Sequence, residues 1–90
     1  MLTLKATSRF LKDLKRMAKR GKNIDPLESV IDALQQKTIL PISYKDHKLA
    51  GNWEGHRECH LEPDWILIYR IKGNLLILER TGSHADLFEK

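Results

Sequence analysis

Two stretches late in the chain, Trp65–Ile71 and Leu75–Thr81, are almost continuously apolar and lie either side of Lys72-Gly73-Asn74. No other feature limits the fold so tightly. The separator is turn chemistry at hairpin length. Strands without polar alternation are covered or paired on both faces. The two runs therefore predict the middle of a sheet. Arg57–Leu61 precedes them and is also strand-like, and Glu62-Pro63-Asp64 is a second turn signal. Together the three runs predict an antiparallel meander.

The first half of the chain has to cover that sheet. Leu2 and Leu4 alternate with polar residues over Met1–Ala6, which predicts a short strand. Thr7 or Ser8 then caps a helix, whose apolar face is Phe10, Leu11, Leu14, Met17 and Ala18. Gly21 is its natural stop. A second helix starts with Asp25 as cap and Pro26 at the first helical position, and buries Leu27, Val30, Ile31 and Leu34. The short link between the two predicts an antiparallel pair. Thr38–Asp46, with Pro41, reads as a loop. Ser83 is placed to cap a terminal helical turn over His84–Glu89, with Asp86 three residues on. The expected fold is α+β, in the order β-α-α-β-β-β. Two antiparallel helices pack on one face of an antiparallel sheet, leaving the other face for a site.

At 90 residues the chain is expected to form one domain, residues 1–90. A Rossmann domain, a barrel enzyme and a P-loop ATPase are excluded by size, and no Gly-rich phosphate loop is present. Trp65–Tyr69 is the longest apolar run, so neither a membrane span nor a signal peptide is expected. The single Cys59 rules out an internal disulfide and fits a reducing, cytoplasmic setting.

Charge is concentrated. Residues 1–22 carry eight basic groups and one acid, Asp13, whereas the whole chain is only +4. Lys12, Lys15, Arg16, Lys19 and Arg20 form a stripe on the first helix. Such a stripe suits a polyanion such as nucleic acid, or an acidic partner protein, and it is also what a solvated helix face looks like.

The four histidines are His47, His56, His60 and His84. His56 and His60 are four apart in a strand-like stretch, ~13 Å at ~3.3 Å per residue, so one ion cannot bridge them. With one Cys and no His-Glu-x-x-His pattern, no metal and no other cofactor is expected. Alternation puts Glu58 and His60 on one strand face, with Asp64 in the turn beyond. Arg80 lies near the end of the last strand and His84 four residues later. Imidazoles, a carboxylate and an Arg on one side of a sheet suit metal-free phosphodiester cleavage. One group takes the ribose 2′-OH proton, another protonates the leaving 5′-oxygen, and a cation stabilises the phosphorane-like transition state. Each residue also has a plain structural reading: a surface imidazole, an Arg80 ion pair with Glu58 or Glu79, Trp53 and Trp65 as packing, Phe88 as a terminal anchor.

Longer motifs carry more. These are Tyr44-Lys45-Asp46-His47, the spaced Leu49, Gly51, Trp53 and Gly55, then Arg57 through Tyr69, and Glu79 through Phe88. They resemble the YafQ branch of the RelE/ParE toxins of bacterial toxin–antitoxin systems, over about half the chain. The resemblance implies a RelE-like fold and a metal-independent, ribosome-associated mRNA endoribonuclease, an mRNA interferase that inhibits translation. It implies a cognate antitoxin, usually with a ribbon-helix-helix DNA-binding part, that neutralises the toxin and alone touches operator DNA. By motif, the family's functional positions fall on His47, His60, Asp64, His84 and Phe88, with Arg80 and Glu58 as weaker matches. The histidines and Asp64 share proton transfer, and Asp64 is expected to orient His60. Two positions depart from the pattern. Lys48 stands where the family often has Pro, and His56 stands where an aromatic is more usual. A ParE-like gyrase poison would share the fold without the acid–base cluster, and a non-catalytic RNA- or ribosome-binding module would need only the basic helix.

Overall fold

The computed structural model describes residues 1–88. Its order is β1 (Thr3–Ala6), α1 (Ser8–Lys19), α2 (Asp25–Gln35), β2 (His47–Lys48), β3 (Arg57–Glu62), β4 (Trp65–Lys72), β5 (Leu75–Gly82) and α3 (His84–Phe88). Five strands form one sheet in the order β1-β5-β4-β3-β2. The apolar hairpin β4–β5 is its centre, as the sequence predicts.

Both meander turns are one residue tighter than the sequence suggests. Lys72 pairs with Leu75, and Glu62 pairs with Trp65, so each loop has two residues. Gly73 at φ +59° takes the first loop position, where hairpins favour a left-handed residue. The N-terminal helix is capped by Thr7, whose hydroxyl accepts from the Phe10 N–H at 3.0 Å. The second helix begins one residue early. Ile24 is its cap residue, Asp25 is already helical, and Asn23 Oδ1 accepts the Asp25 N–H at 3.1 Å. The final turn runs over His84–Phe88; Glu89, included in the expected span, lies outside the described residues.

The expected all-antiparallel sheet needs two corrections. β2 is a fifth strand inside the region expected to link the second helix to the meander. It pairs antiparallel with β3, His47 opposite Glu58. Two residues are too few to show periodicity. β1 pairs with β5 in parallel, Thr3 opposite Leu75 through Ala6 opposite Leu78. Strand direction has no signature in a four-residue run.

Where β1 ends, α1 finishes the open edge of β5. The Thr7 hydroxyl donates to the Glu79 carbonyl at 2.9 Å, and the buried Asp13 carboxylate accepts the Thr81 N–H at 3.2 Å. An unpaired strand edge is thereby closed with side chains.

A bulge separates two registers of β4–β5. Ile68 faces Arg80 but Tyr69 faces Leu78, leaving Glu79 as the extra residue. The bulge reverses the alternation beyond it. Thr81 therefore enters the helix-covered core, where its hydroxyl accepts from the buried Trp65 indole N–H at 2.9 Å and donates to the Ile66 carbonyl at 2.8 Å. That core joins Phe10, Met17, Leu27 and Val30 of the helices to Trp65 and Leu67 of the sheet. Ile66 and Ile68 point the other way, under Leu87, Leu49 and Trp53. Cys59 is fully buried on the helix side, where burial pushes its thiol up to about 12. It is not available as a nucleophile.

Candidate catalytic site

The open face of the sheet gathers the predicted residues around Glu58. Pleating puts Glu58 and His60 on that face, and the register of β2 against β3 sets His47 directly opposite Glu58. His47 Nε2 lies 3.2 Å from Glu58 Oε2, and His60 Nε2 lies 3.6 Å from the same oxygen. Glu58 is buried, and its Oε1 has no hydrogen-bond partner among the described residues.

His47 is aimed by its neighbours. Lys45 sits in the left-handed region at φ +50°, a strained setting for a lysine, and its carbonyl lies 2.7 Å from His47 Nδ1. Asp46 pins the start of β2, because its Oδ1 accepts from the Tyr69 hydroxyl at 2.7 Å and from Arg57 Nε at 3.1 Å. Burial, and then the Asp46 carboxylate, push the Tyr69 hydroxyl well above its ordinary range. The Lys45 carbonyl requires a proton on His47 Nδ1. Nε2, the other ring nitrogen, faces the Glu58 carboxylate.

The second arm comes from α3. His84 opens this helix, and both its backbone N–H and its Nδ1 reach Asp64 Oδ1, at 3.1 and 3.0 Å. These contacts, the side-chain one first, hold the Asp64 carboxyl below its usual range. With Nδ1 engaged, Nε2 is the free ring atom of His84. The His60 and His84 rings lie 5.5 Å apart. Asp64 therefore orients His84 and not His60, the partner expected from sequence. The turn brings Asp64 to the start of β4, and α3 returns to that same end.

Phe88 is half-exposed and 6.0 Å from the His84 ring, and its edge meets Trp53 at 6.3 Å. Ser83 and Asp86 make the expected reciprocal cap: the Asp86 N–H donates to Ser83 Oγ at 3.1 Å, and the Ser83 N–H donates to Asp86 Oδ2 at 3.0 Å. Arg20 grips the same carboxylate and, with these bonds, holds its pKa well below the usual range.

Two predicted groups are placed differently. Arg80 is not joined to the histidines, nor to Glu58 or Glu79. Its Nε and Nη2 donate to the Asp13 carboxylate at 2.6 and 3.0 Å. Arg16 donates to Asp13 as well. Of the basic stripe, Lys12, Lys15 and Lys19 are exposed, while Arg16 and Arg20 are occupied by carboxylates. His56 is peripheral, as expected. Its Nε2 lies 3.6 Å from Glu79, and its ring meets Trp53 edge-on at 5.3 Å.

Sequence reasoning underrated Glu58, although strand alternation already paired it with His60. Asp13, the one acid of the basic segment, lies on the helix face of Phe10 and Met17, and that position is the sequence signal of its burial. The spacing of His56 and His60 excludes a shared ion for that pair and says nothing of His60 with residues distant in sequence. The ligand atoms of Glu58, His60 and His84 all lie within 4.8 Å of one another, close enough for one transition-metal ion after modest contraction.

Residues 2–89 match the family of YafQ, the bacterial toxin of type II toxin–antitoxin systems. The chain belongs to the YafQ toxin family. It is 47% identical over 83 residues to the mRNA interferase toxin YafQ of Escherichia coli strain K12, covering 91% of this chain and 90% of that protein. The toxin in the crystal structure of the E. coli DinJ–YafQ complex superposes with a TM-score of 0.90 at 43% identity, covering 98% of this chain and 99% of that one. The crystal structure of a metal-bound toxin from Helicobacter pylori gives a TM-score of 0.91 at 44% identity, covering 98% and 100%. The α+β fold predicted from sequence is thus the YafQ fold. Among the described residues no helix is long and apolar enough to cross a membrane.

Proposed function

We propose that this chain is an mRNA endoribonuclease of the cytoplasm that acts on translating ribosomes, inhibits translation, and is neutralised by a cognate antitoxin. The observation that carries the reading is the convergence of His47, His60 and His84 on the buried Glu58, with Asp64 behind His84. The E. coli relative is named an mRNA interferase and has been crystallised with the antitoxin DinJ. A ribbon-helix-helix antitoxin would supply any contact with operator DNA. Lys12, Lys15 and Lys19 would draw the domain to ribosomal RNA.

Phosphodiester cleavage needs a base on the 2′-OH and an acid on the leaving 5′-oxygen. The two arms suit this division. On one side Glu58 stands between His47 and His60, its Oε2 3.2 and 3.6 Å from their Nε2 atoms, and this arm would exchange a proton once substrate draws the groups together. On the other, His84 exchanges a proton through Nε2, its Nδ1 being held by Asp64. The 2′-oxygen attacks phosphorus, the P–O5′ bond breaks, and a 2′,3′-cyclic phosphate and a 5′-hydroxyl result. Phe88 would stack on a base and hold His84 against the phosphate. Arg80, neutralised by Asp13, supports the site from the sheet edge.

Metal-free chemistry is part of this reading. Glu58, His60 and His84 offer donors that suit a transition metal, and the H. pylori relative is described as metal-bound. An ion held there would occupy the atoms that move protons, so Zn²⁺ is expected to inhibit cleavage and a chelator to restore it.

New 5′ ends mapped on cellular messages, with and without His84→Ala, test the proposal. Site-specific cuts lost in the variant support it. Altered supercoiling without cuts would replace it with gyrase poisoning, and arrested ribosomes with intact message would replace it with simple binding. A substrate with a sulfur leaving group at the 5′ position then separates the arms, because only the variant lacking the acid regains its rate.

A further inference from the structure

Arg20 closes the last turn of α1, in the stripe of cations that the sequence suggests for RNA. Its guanidinium is turned to another task. Nη1 donates to Asp86 Oδ2 at 2.6 Å and Nη2 donates to Oδ1 at 2.9 Å, a two-pronged pair between residues 66 apart in the chain. An arginine with both prongs on a carboxylate has little left to offer a phosphate.

What Arg20 holds is the element that carries His84. α3 has five residues, too few to be stable alone. It rests on the sheet through Leu87. Asp86 ties the turn together through Ser83, and it presses on the strand that feeds it. Gly82 adopts φ +155°, and a Cβ there would stand 2.9 Å from Asp86 Oδ2. Only glycine lets the carboxylate come this close. α1, in contrast, is anchored by Phe10 and Met17 in the core. Arg20 therefore ties α3 to a helix seated in the core. His84 is fixed from one side by Asp64 in the β3–β4 loop and, through Asp86, from the other by α1.

We propose that Arg20 is a positioning residue for RNA cleavage: by locking α3 through Asp86 it keeps the His84 ring beside His60 and Glu58. The inference rests on the nuclease reading above and adds to it a residue that never touches the substrate.

Arg20→Gln removes the pair. Ribosome-bound message should then be cut with kcat reduced ~10²-fold, the usual cost of a misplaced catalytic group, with KM and salt dependence unchanged. Arg20→Lys should recover part of the rate, because an ammonium restores the charge but not the fork. Hydrogen exchange at the Ser83, His84 and Leu87 amides should speed up at least tenfold in Arg20→Gln, while β4 amides keep their rates. A raised KM and a flatter salt slope at unchanged kcat would make Arg20 an RNA contact and overturn the proposal. Unchanged exchange in α3 would also overturn it. If Arg20→Gln does not fold, Asp86→Asn takes its place, since the amide oxygen still accepts the Ser83 N–H and only the partner of Arg20 is weakened. Failure of the wild-type chain to cut any message would sink the proposed function, and the exchange rates alone would then decide whether Arg20 locks α3.

Discussion

The same strands serve two faces of the sheet with opposite results. On the helix side, Trp65, Leu67, Leu76 and Leu78 are sealed under α1 and α2, and the Trp65 indole N–H has its partner in Thr81. On the open side, a small apolar patch of Ile66 and Ile68 supports charged groups that satisfy one another incompletely. Among the described residues, Glu58 Oε1, His56 Nε2 and Arg70 Nε are buried without a hydrogen-bond partner, against Arg16 Nε alone on α1. Arg70 and Glu79 approach only to 3.5 Å. Buried polar groups cost stability unless paired. One face therefore stabilises the domain, and the other holds polar groups that can still take a hydrogen-bond partner.

The largest effect should come from breaking the sealed face. Trp65→Ala removes a fully buried ring and leaves the Thr81 hydroxyl without its donor. A loss of ~3–5 kcal/mol is expected, which is most of the stability of a domain this size. Urea denaturation measures it, and a loss below ~1 kcal/mol would show that the two faces are not divided in this way.

On the open face the signs should separate. Glu58→Gln keeps the shape and removes the charge between His47 and His60. Cleavage should fall ~10²–10⁴-fold, while the melting temperature holds or rises because a poorly satisfied buried carboxylate is gone. A variant that loses stability and keeps activity would reverse the roles of the faces.

Phe88→Ala sharpens the boundary, since this ring is 41% exposed and sits where the apolar patch meets the site. Activity is expected to drop by ~10²-fold and the melting temperature by only a few degrees. A destabilised but fully active variant would assign Phe88 to packing.

The smallest effect concerns pH. The folded Asp86 carboxyl lies below its unfolded value, ~3.9, chiefly because of Arg20 and secondarily of Ser83. A lowered folded pKa gives stability that is present above the unfolded pKa and is lost as pH falls toward the folded one. The melting-temperature gap between wild type and Asp86→Asn should thus be constant above about pH 5 and shrink below about pH 4. A gap that is flat down to pH 3 would remove the ion pair from the stability of α3.

The sheet centre, both long helices and the Ser83–Asp86 cap were legible because each has a local signature: an apolar run, a helical period, a reciprocal pair of polar side chains. The members of the candidate site were legible for a different reason. Alternation put Glu58 with His60, and the longer motifs supplied His47, Asp64, His84 and Phe88. Partners were not legible. Asp64 chose His84 over His60 because α3 folds back onto the start of β4, and Arg80 chose Asp13 because β1 stops at Ala6 and leaves the edge of β5 to α1. Both depend on contacts between residues 20 or more apart in sequence. The Glu79 bulge was hidden as well, since one extra residue alters no hydrophobic pattern until the partner strand is in place.

The parallel pairing of β1 with β5 has a consequence for synthesis. Residues 3–6 have no strand to join until residues 75–78 have been made. α1 gains its Glu79 and Thr81 contacts at the same late moment. Non-local pairing of this kind delays folding until the distant segment arrives, and domains form as units during translation. A nascent chain halted before β5 therefore has neither the central hairpin nor the helix that bears His84. Such an unfinished chain would lack half of the candidate site.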